Sequence, residues 1–171
     1  MRDYMNQNTE IMERIKIEID MERCSLEELS EEERNLVQRA IDATQNSYAK
    51  YSRFYVGAAV LLNNGEVFIG ANQENAAFPS GLCAERTALF SAQANRPDQP
   101  VRMLAVAARN NTGLLSAPIT PCGSCRQVIL EIESRYGKPI EILLYGKEGV
   151  YKIKSVKDLL PLSFEDTDME V

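Results

Sequence analysis

Residues 83–125, CAERTALFSAQANRPDQPVRMLAVAARNNTGLLSAPITPCGSC, contain two helix starts separated by one apolar strand. The Ala-rich segment from about Leu82 to Asn95 is typical of a helix. The almost entirely apolar segment Val101–Ala108 predicts a central strand covered on both faces. Thr120 supplies an N-cap and Pro121 the residue favoured in a first helical turn, so a second helix is expected from there. Helix, buried strand and helix in succession indicate an α/β domain.

The flanking sequence adds four strands and one helix to this unit. A helix is expected within Ser25–Tyr48, where Ser30 and Glu33 have the spacing of a capping box. Two strands joined by a tight Asn-Gly turn are expected over residues 56–71. Two more are expected over residues 140–153, with a link too short for a parallel crossover. The last two strands should therefore be antiparallel.

Residues 1–25 are interpreted as an N-terminal extension. The first 12 residues are mostly polar and without pattern, so loose ordering is expected there. The next stretch alternates apolar residues with charged ones, a period of two that predicts an extra edge strand. The apolar positions of this stretch are Ile15, Ile17, Ile19 and Met21.

Composition narrows the classes of function. A chain of 171 residues fits one domain, and a net charge of −6 disfavours binding to nucleic acid. No apolar run approaches the length of a membrane helix, so neither export nor membrane insertion is expected. Four Cys are too few for a disulfide scaffold, which makes the cytoplasm, where thiols stay reduced, the expected compartment. His is absent, so any metal site must use other ligands.

Three cysteines occupy two predicted helix starts. Cys83 begins the first core helix, and Cys122 and Cys125 form a C-x-x-C motif at the start of the second. The positive end of a helix favours thiolates, which zinc prefers as ligands. A catalytic zinc keeps three protein ligands and leaves a fourth position to water. Glu85 follows Cys83 by two residues, which places a proton carrier beside such a water.

Each of these features alone has an ordinary explanation. A C-x-x-C motif is equally typical of a redox site or of half a structural zinc site. A carboxylate such as Glu85 is common in the first turn of a helix because it interacts well with the helix dipole. The combination of Cys-Ala-Glu, an apolar strand and Pro-Cys-x-x-Cys is more specific. It fits the zinc deaminase signature with Cys in place of His.

On these motifs the sequence resembles the cytidine deaminase family, in its small homotetrameric branch with three Cys ligands. The resemblance runs from about Leu36 to Phe164. It implies a three-layer α/β/α fold with a five-stranded mixed sheet, the last two strands antiparallel, and a catalytic domain over residues 26–171. The motifs that carry the resemblance are YSRFYVGAA (51–59), NQENAA (72–77), CAERTA (83–88), PCGSCRQ (121–127) and LLPLSF (159–164).

The resemblance also implies a role for individual residues. Zn²⁺ would be bound by Cys83, Cys122 and Cys125, with Glu85 carrying protons between water, the pyrimidine N3 and the departing ammonia. Arg86 would offset the negative charge that three thiolates give the zinc site. The implied substrate-binding residues are Phe54, Asn72, Glu74, Ala84 and Thr120, the last two through backbone groups, and Phe164, which completes the pocket of a neighbouring subunit.

The expected function is the hydrolytic deamination of cytidine and deoxycytidine in pyrimidine salvage, by a homotetramer that binds neither nucleic acid nor membrane. One alternative is a related zinc deaminase that acts on a cytosine-nucleoside antibiotic or on a nucleic-acid base. The negative net charge and the Asn72 and Glu74 pair, which suits a free sugar, oppose the nucleic-acid version. A structural zinc module is a further alternative, and it predicts a fourth protein ligand.

Overall fold

The computed structural model describes residues 13–169, in which one mixed β-sheet carries helices on both faces. The expected loose ordering of the first 12 residues falls outside this range. None of the helices within the range has the length and apolar character needed to cross a membrane. The three α-helices are α1 (Glu31–Ala43), α2 (Ala84–Asn95) and α3 (Gly123–Tyr136). The strands are β1 (Glu22–Cys24), β2 (Tyr55–Leu62), β3 (Val67–Ala71), β4 (Val101–Asn110), β5 (Gly113–Leu114), β6 (Glu141–Gly146) and β7 (Gly149–Ile153).

The strand order is β1-β7-β6-β4-β2-β3, with the short β5 paired to the end of β4. β4 and β6 run parallel, and the other ladders are antiparallel, including the β6–β7 pair at the C-terminal end. The predicted five-stranded mixed sheet with an antiparallel last pair is therefore confirmed. The sheet has seven strands instead of five, because β1 adds the edge strand expected in the N-terminal extension and the short β5 adds one that was not predicted.

Alternating side chains of the central strands build two separate cores. On one face, Ala59 and Leu61 of β2 pack with Leu36 and Val37 of α1. On the other face, residues such as Val60 pack with the buried residues of α2 and α3. The sheet is thus covered on both sides, which confirms the three-layer α/β/α architecture.

The start of α1 confirms the predicted capping box. The Ser30 hydroxyl accepts a hydrogen bond from Glu33 N–H, and the Glu33 carboxylate accepts one from Ser30 N–H. The predicted start of α3 at Thr120 and Pro121 was wrong by two residues. The N-cap is Cys122, which is in extended conformation. The Thr120 hydroxyl does not cap the helix and instead accepts a hydrogen bond from the Arg126 side chain.

The strand of the N-terminal extension lies at Glu22–Cys24, not at the predicted Ile15–Met21. The reason is the register with β7. Glu22 lies opposite Lys152, and β7 ends at Ile153. In this register Met21 is level with Ile153, the last residue of β7, so the residues before Met21 run past the end of the partner strand.

The position of α2 depends on a glycine in β3. A Cβ added to Gly70 would lie closer to Ala84 O and Ala88 N than real Cβ atoms come to backbone atoms. The first turn of α2 therefore rests directly on the β3 backbone. This contact fixes the height of the α2 N-terminus above the sheet.

We predict that Gly70→Ala lowers the free energy of unfolding by about 2–3 kcal/mol, because the added methyl group must push backbone apart. The measurement is urea unfolding followed by circular dichroism. Gly123→Ala is the matched control, since nothing lies within 4 Å of a Cβ at that position. Equal stability of Gly70→Ala and the wild type would contradict the close contact.

Candidate metal centre and adjoining pocket

The three predicted cysteine ligands meet at the N-termini of α2 and α3. Cys83 is the N-cap residue of α2, Cys122 is the N-cap residue of α3, and Cys125 lies in the first turn of α3. The Sγ atoms of Cys83 and Cys122 are 3.9 Å apart, and those of Cys122 and Cys125 are 3.5 Å apart. Within residues 13–169, this is the one group of three or more His, Cys, Asp or Glu side chains close enough to share an ion.

These distances fit a tetrahedral zinc. Zn–S bonds of about 2.3 Å place two sulfur ligands about 3.8 Å apart. All three Sγ atoms lie within 4.8 Å of one another, and all the cysteines are free thiols rather than disulfides. The fourth cysteine, Cys24, is in β1 and packs against the α1 core. The donor set of three soft thiolates suits Zn²⁺ and leaves one coordination position free of protein ligands.

The local electrostatics already favour one thiolate. Hydrogen bonding within the cluster, mainly with Cys125 and then with Arg86, lowers the pKa of Cys83 to about 5 despite its partial burial. The same coupling to Cys83, together with burial, raises the pKa of Cys125. Metal binding at this site therefore replaces the proton that the Cys125 thiol holds.

Arg86 supplies a positive charge to the sulfur cluster. Its Nη2 lies 3.6 Å from Cys83 Sγ, and the thiolate raises the pKa of the guanidinium further. Its Nε atom is buried without a hydrogen-bond partner in the described part of the chain. The other arginine beside the cluster, Arg126, instead donates to the backbone oxygens of Pro121 and Leu159. Among the described residues, Arg86 contacts a sulfur and Arg126 does not.

Glu85 is the second residue of α2 and is 5% exposed. Burial raises the pKa of its carboxyl, and the charge of Cys83 raises it further. A carboxyl group in this setting holds a proton more readily than one in water does. It is thus suited to proton transfer next to the cysteines.

A pocket of about 470 Å³ opens beside Cys83. Its lining includes Asn72 and Glu74, the predicted sugar-binding pair, together with Tyr51 and Phe78. The rings of Tyr51 and Phe78 meet edge to face with centroids 5.7 Å apart. A larger open groove between α1 and the β2–β3 hairpin contains no cysteine. The pocket beside Cys83 therefore joins polar groups, aromatic rings and the sulfur cluster.

Asn72 is fixed by the strand next to it. Its Oδ1 accepts from Val56 N–H at 2.8 Å, and its Nδ2 donates to Phe54 O at 2.9 Å. An amide has two donors and two acceptor lone pairs, so one of each remains for a ligand. The side chain is thus oriented before any ligand arrives.

Glu74 is held by the loop that precedes β2. Its carboxylate accepts from Tyr51 N–H at 2.7 Å and from Ser52 N–H at 3.3 Å. Hydrogen bonding to Ser52 and to Tyr51 N–H lowers the pKa of Glu74. The supporting role of Tyr51 and Ser52 was missed in the sequence, although both lie in the YSRFYVGAA motif.

Four predicted substrate-binding residues do not line this pocket in the single chain. Phe54 is half-buried and contacts Asn72 through its carbonyl, and Ala84 is fully buried at the start of α2. Thr120 is exposed. Phe164 is 59% exposed, and its carbonyl accepts from Gln127 Nε2 at the side of α3. In the single chain, Asn72 and Glu74 therefore line the pocket beside Cys83, and the other four predicted residues do not.

Several known proteins are similar to this chain in sequence and in fold. Residues 30–137 match the family model described as the cytidine and deoxycytidylate deaminase zinc-binding region. A cytidine deaminase from Halalkalibacterium halodurans is 40% identical over 134 residues, 78% of this chain and 95% of that protein. One from Sporosarcina psychrophila is 35% identical, over 78% of this chain and 92% of that protein. The crystal structure of cytidine deaminase from Burkholderia pseudomallei superposes with a TM-score of 0.65 at 41% identity, over 76% of this chain and 97% of that one.

We predict that Arg86→Gln weakens zinc retention, because the thiolates lose the cation that contacts Cys83. The measurement is zinc per chain after dialysis against graded concentrations of a chelator. Arg39→Gln removes the same charge from an exposed position of α1, away from the cysteines, and it should retain zinc as the wild type does. Identical zinc loss in the two variants would contradict the assigned role.

Proposed function

The chain belongs to the cytidine and deoxycytidylate deaminase family, and from this premise we propose that its three-cysteine site converts cytidine and deoxycytidine to uridine and deoxyuridine with release of ammonia. The enzyme is a zinc-dependent hydrolytic deaminase whose substrate is a small nucleoside. One observation carries the proposal: the Sγ atoms of two helix caps and one first-turn cysteine lie within 4.8 Å of one another beside a pocket.

The metal-binding residues we assign are Cys83, Cys122 and Cys125. Zinc bound there supplies a Lewis acid that lowers the pKa of a water molecule to about 7. The protein helps by holding three sulfurs in place and by positioning Arg86 against Cys83. Two helix N-termini add their positive ends to the same point.

Glu85 is assigned as the proton carrier. It takes a proton from the attacking water and delivers it to the pyrimidine N3. It then takes the proton of the new C4 hydroxyl and passes it to the amino nitrogen, which leaves C4 as ammonia while the C4 carbonyl forms. Its burial supports this role, because a raised pKa brings the carboxyl closer to the range in which it can both accept and donate. Its place two residues after Cys83 keeps it near the reaction.

Substrate orientation is assigned to the pocket and its rim. Asn72 and Glu74 hydrogen-bond the sugar hydroxyls, and the ionised state of Glu74 makes it an acceptor. Phe54 packs on the base, while backbone groups of Ala84 and Thr120 contact the base and the departing amine. This arrangement places the sugar in the open pocket and the base toward the cysteines.

The proposed assembly is a homotetramer in which Phe164 completes the pocket of a neighbouring subunit. Two large apolar side chains support it, since Phe78 at the pocket and Phe164 near α3 are 73% and 59% exposed. Burying such rings against another subunit is favourable. We also propose a cytoplasmic location and a role in pyrimidine salvage, since the cytosol maintains the reduced thiols that the site needs.

We predict that Glu85→Gln lowers the turnover of cytidine by about 10²- to 10⁴-fold, the usual contribution of general acid–base catalysis, and leaves zinc bound. The assay follows the ultraviolet change of cytidine on deamination, with zinc measured in the same samples. Glu131→Gln changes an exposed carboxylate of α3 and serves as control. Full turnover in Glu85→Gln would refute the assignment. A cytosine-nucleoside antibiotic and a transfer RNA, tested as substrates, separate the proposed activity from related deaminases.

A further inference from the structure

Residues 13–21, which we term the arm, form an exposed segment before the edge strand β1 in which apolar and charged residues alternate. The exposed fractions of Ile15, Ile17, Ile19 and Met21 are 81%, 49%, 59% and 45%. Within residues 13–169, no strand pairs with the arm, since the β1–β7 ladder begins at Glu22. Apolar side chains and unpaired backbone groups at a sheet edge together favour the addition of another strand.

The arm continues from an anchored strand. Arg23 Nη2 donates to Glu148 O at 2.9 Å, and Lys154 forms an ion pair with Asp20 at 3.2 Å. β1 pairs with β7 on one side and is the terminal strand of the sheet on the other. The arm is therefore presented from a fixed base.

The sequence of the arm is complementary to itself when two copies run antiparallel. From Arg14 to Asp20 it reads RIKIEID, with bases in the first half, acids in the second and Ile at alternate positions. A two-fold axis at Ile17 places Lys16 opposite Glu18. In the same register, Arg14 lies opposite Asp20, and Ile15 opposite Ile19. Every charge from 14 to 20 then faces an opposite charge, and every Ile faces an Ile.

The neighbouring register is less favourable. An axis at Glu18 places the two Glu18 carboxylates directly opposite each other, which is destabilising. In the single chain, Lys16 Nζ contacts its own Glu18 at 2.7 Å, although both side chains are about four-fifths exposed. Pairing centred on Ile17 gives each of these side chains an additional partner across the strands.

We propose that the arm binds the arm of a second copy of this chain, as an antiparallel strand pair with its two-fold axis at Ile17. The contact is isologous, so it closes on itself and joins two chains. The isoleucines of both arms come together on one face of the pair, and the charged residues are matched on the other. The arm contributes none of the residues assigned to deamination, so the proposal is independent of that function.

Disulfide trapping tests the contact and its register in the full, zinc-loaded chain. Residues directly opposite in an antiparallel pair have Cα atoms about 4.5–5.5 Å apart, within the span of a disulfide. Ile17→Cys should therefore form a covalent dimer on oxidation with glutathione. Ile15→Cys should not, because its two copies would lie about 13 Å apart along the strands. Mixing Ile15→Cys with Ile19→Cys should restore the dimer.

The wild type, oxidised in parallel, measures the background from the native thiols. Zinc content and thermal melting verify that each variant is folded, and all three isoleucines are exposed enough to be replaced without loss of core. If Ile17→Cys forms no covalent dimer above the background of the wild type, the proposal is overturned. Equal dimer formation by Ile15→Cys and Ile17→Cys overturns the register and with it the proposal.

Charge variants in the Ile17→Cys background give a second test with the same readout. Lys16→Glu alone and Glu18→Lys alone each place like charges opposite each other twice, so the covalent dimer should be lost in both. A mixture of the two variants places Glu opposite Lys at both positions, so the mixed dimer should return. Lys138→Glu changes an exposed charge in the α3–β6 loop and should leave the dimer unchanged. Unaltered dimer in both arm charge variants would overturn the proposal.

Discussion

The parallel pairing of β4 with β6 is the constraint on which the metal centre depends. Each of these strands is preceded by a helix through a short connection, α2 from Asn95 to Val101 and α3 from Tyr136 to Glu141. A helix joined in this way runs antiparallel to the strand that follows it. Because the two strands are parallel, both helices point the same way, and their N-termini meet at one end of the sheet. An antiparallel pair at this place would have put Cys83 and Cys122 at opposite ends.

The cysteines at these helix starts occupy positions where another residue would serve stability better. Ser, Thr, Asp and Asn are preferred N-caps because their oxygens accept a backbone N–H, which contributes about 1 kcal/mol. Neither Cys83 nor Cys122 makes a side-chain capping hydrogen bond. Their sulfurs are instead turned toward each other, at 3.9 Å. The site thus gives up capping energy and gains metal ligands held at the positive ends of two helices.

Local sequence patterns predicted the helices and strands well. They predicted less well the features that depend on contacts between distant parts of the chain. The Ser30 and Glu33 spacing, the Asn-Gly hairpin and the cysteine motifs act over a few residues. The sequence alone therefore identified the helices and strands that they mark and the three cysteines that the fold brings together. The edge strand was misplaced because its position depends on where β7 ends, which alternation in Ile15–Met21 cannot reveal. The support of Glu74 by Tyr51 was likewise invisible, since it joins residues from separate segments.

Backbone hydrogen bonds fix the spacing between the pocket and the cysteines. Gln73 and Leu82 exchange two N–H···O bonds, both 2.9 Å long, and Leu82 is the residue before Cys83. On the other side, Tyr48 N–H donates to Asn72 O and Tyr48 O accepts from Glu74 N–H. The segment that carries the proposed sugar ligands is therefore joined on one side to the chain that enters the metal centre and on the other to the loop before β2. A nucleoside that binds as proposed would meet polar groups and sulfurs whose separation is set by the backbone and does not need to be organised by the ligand.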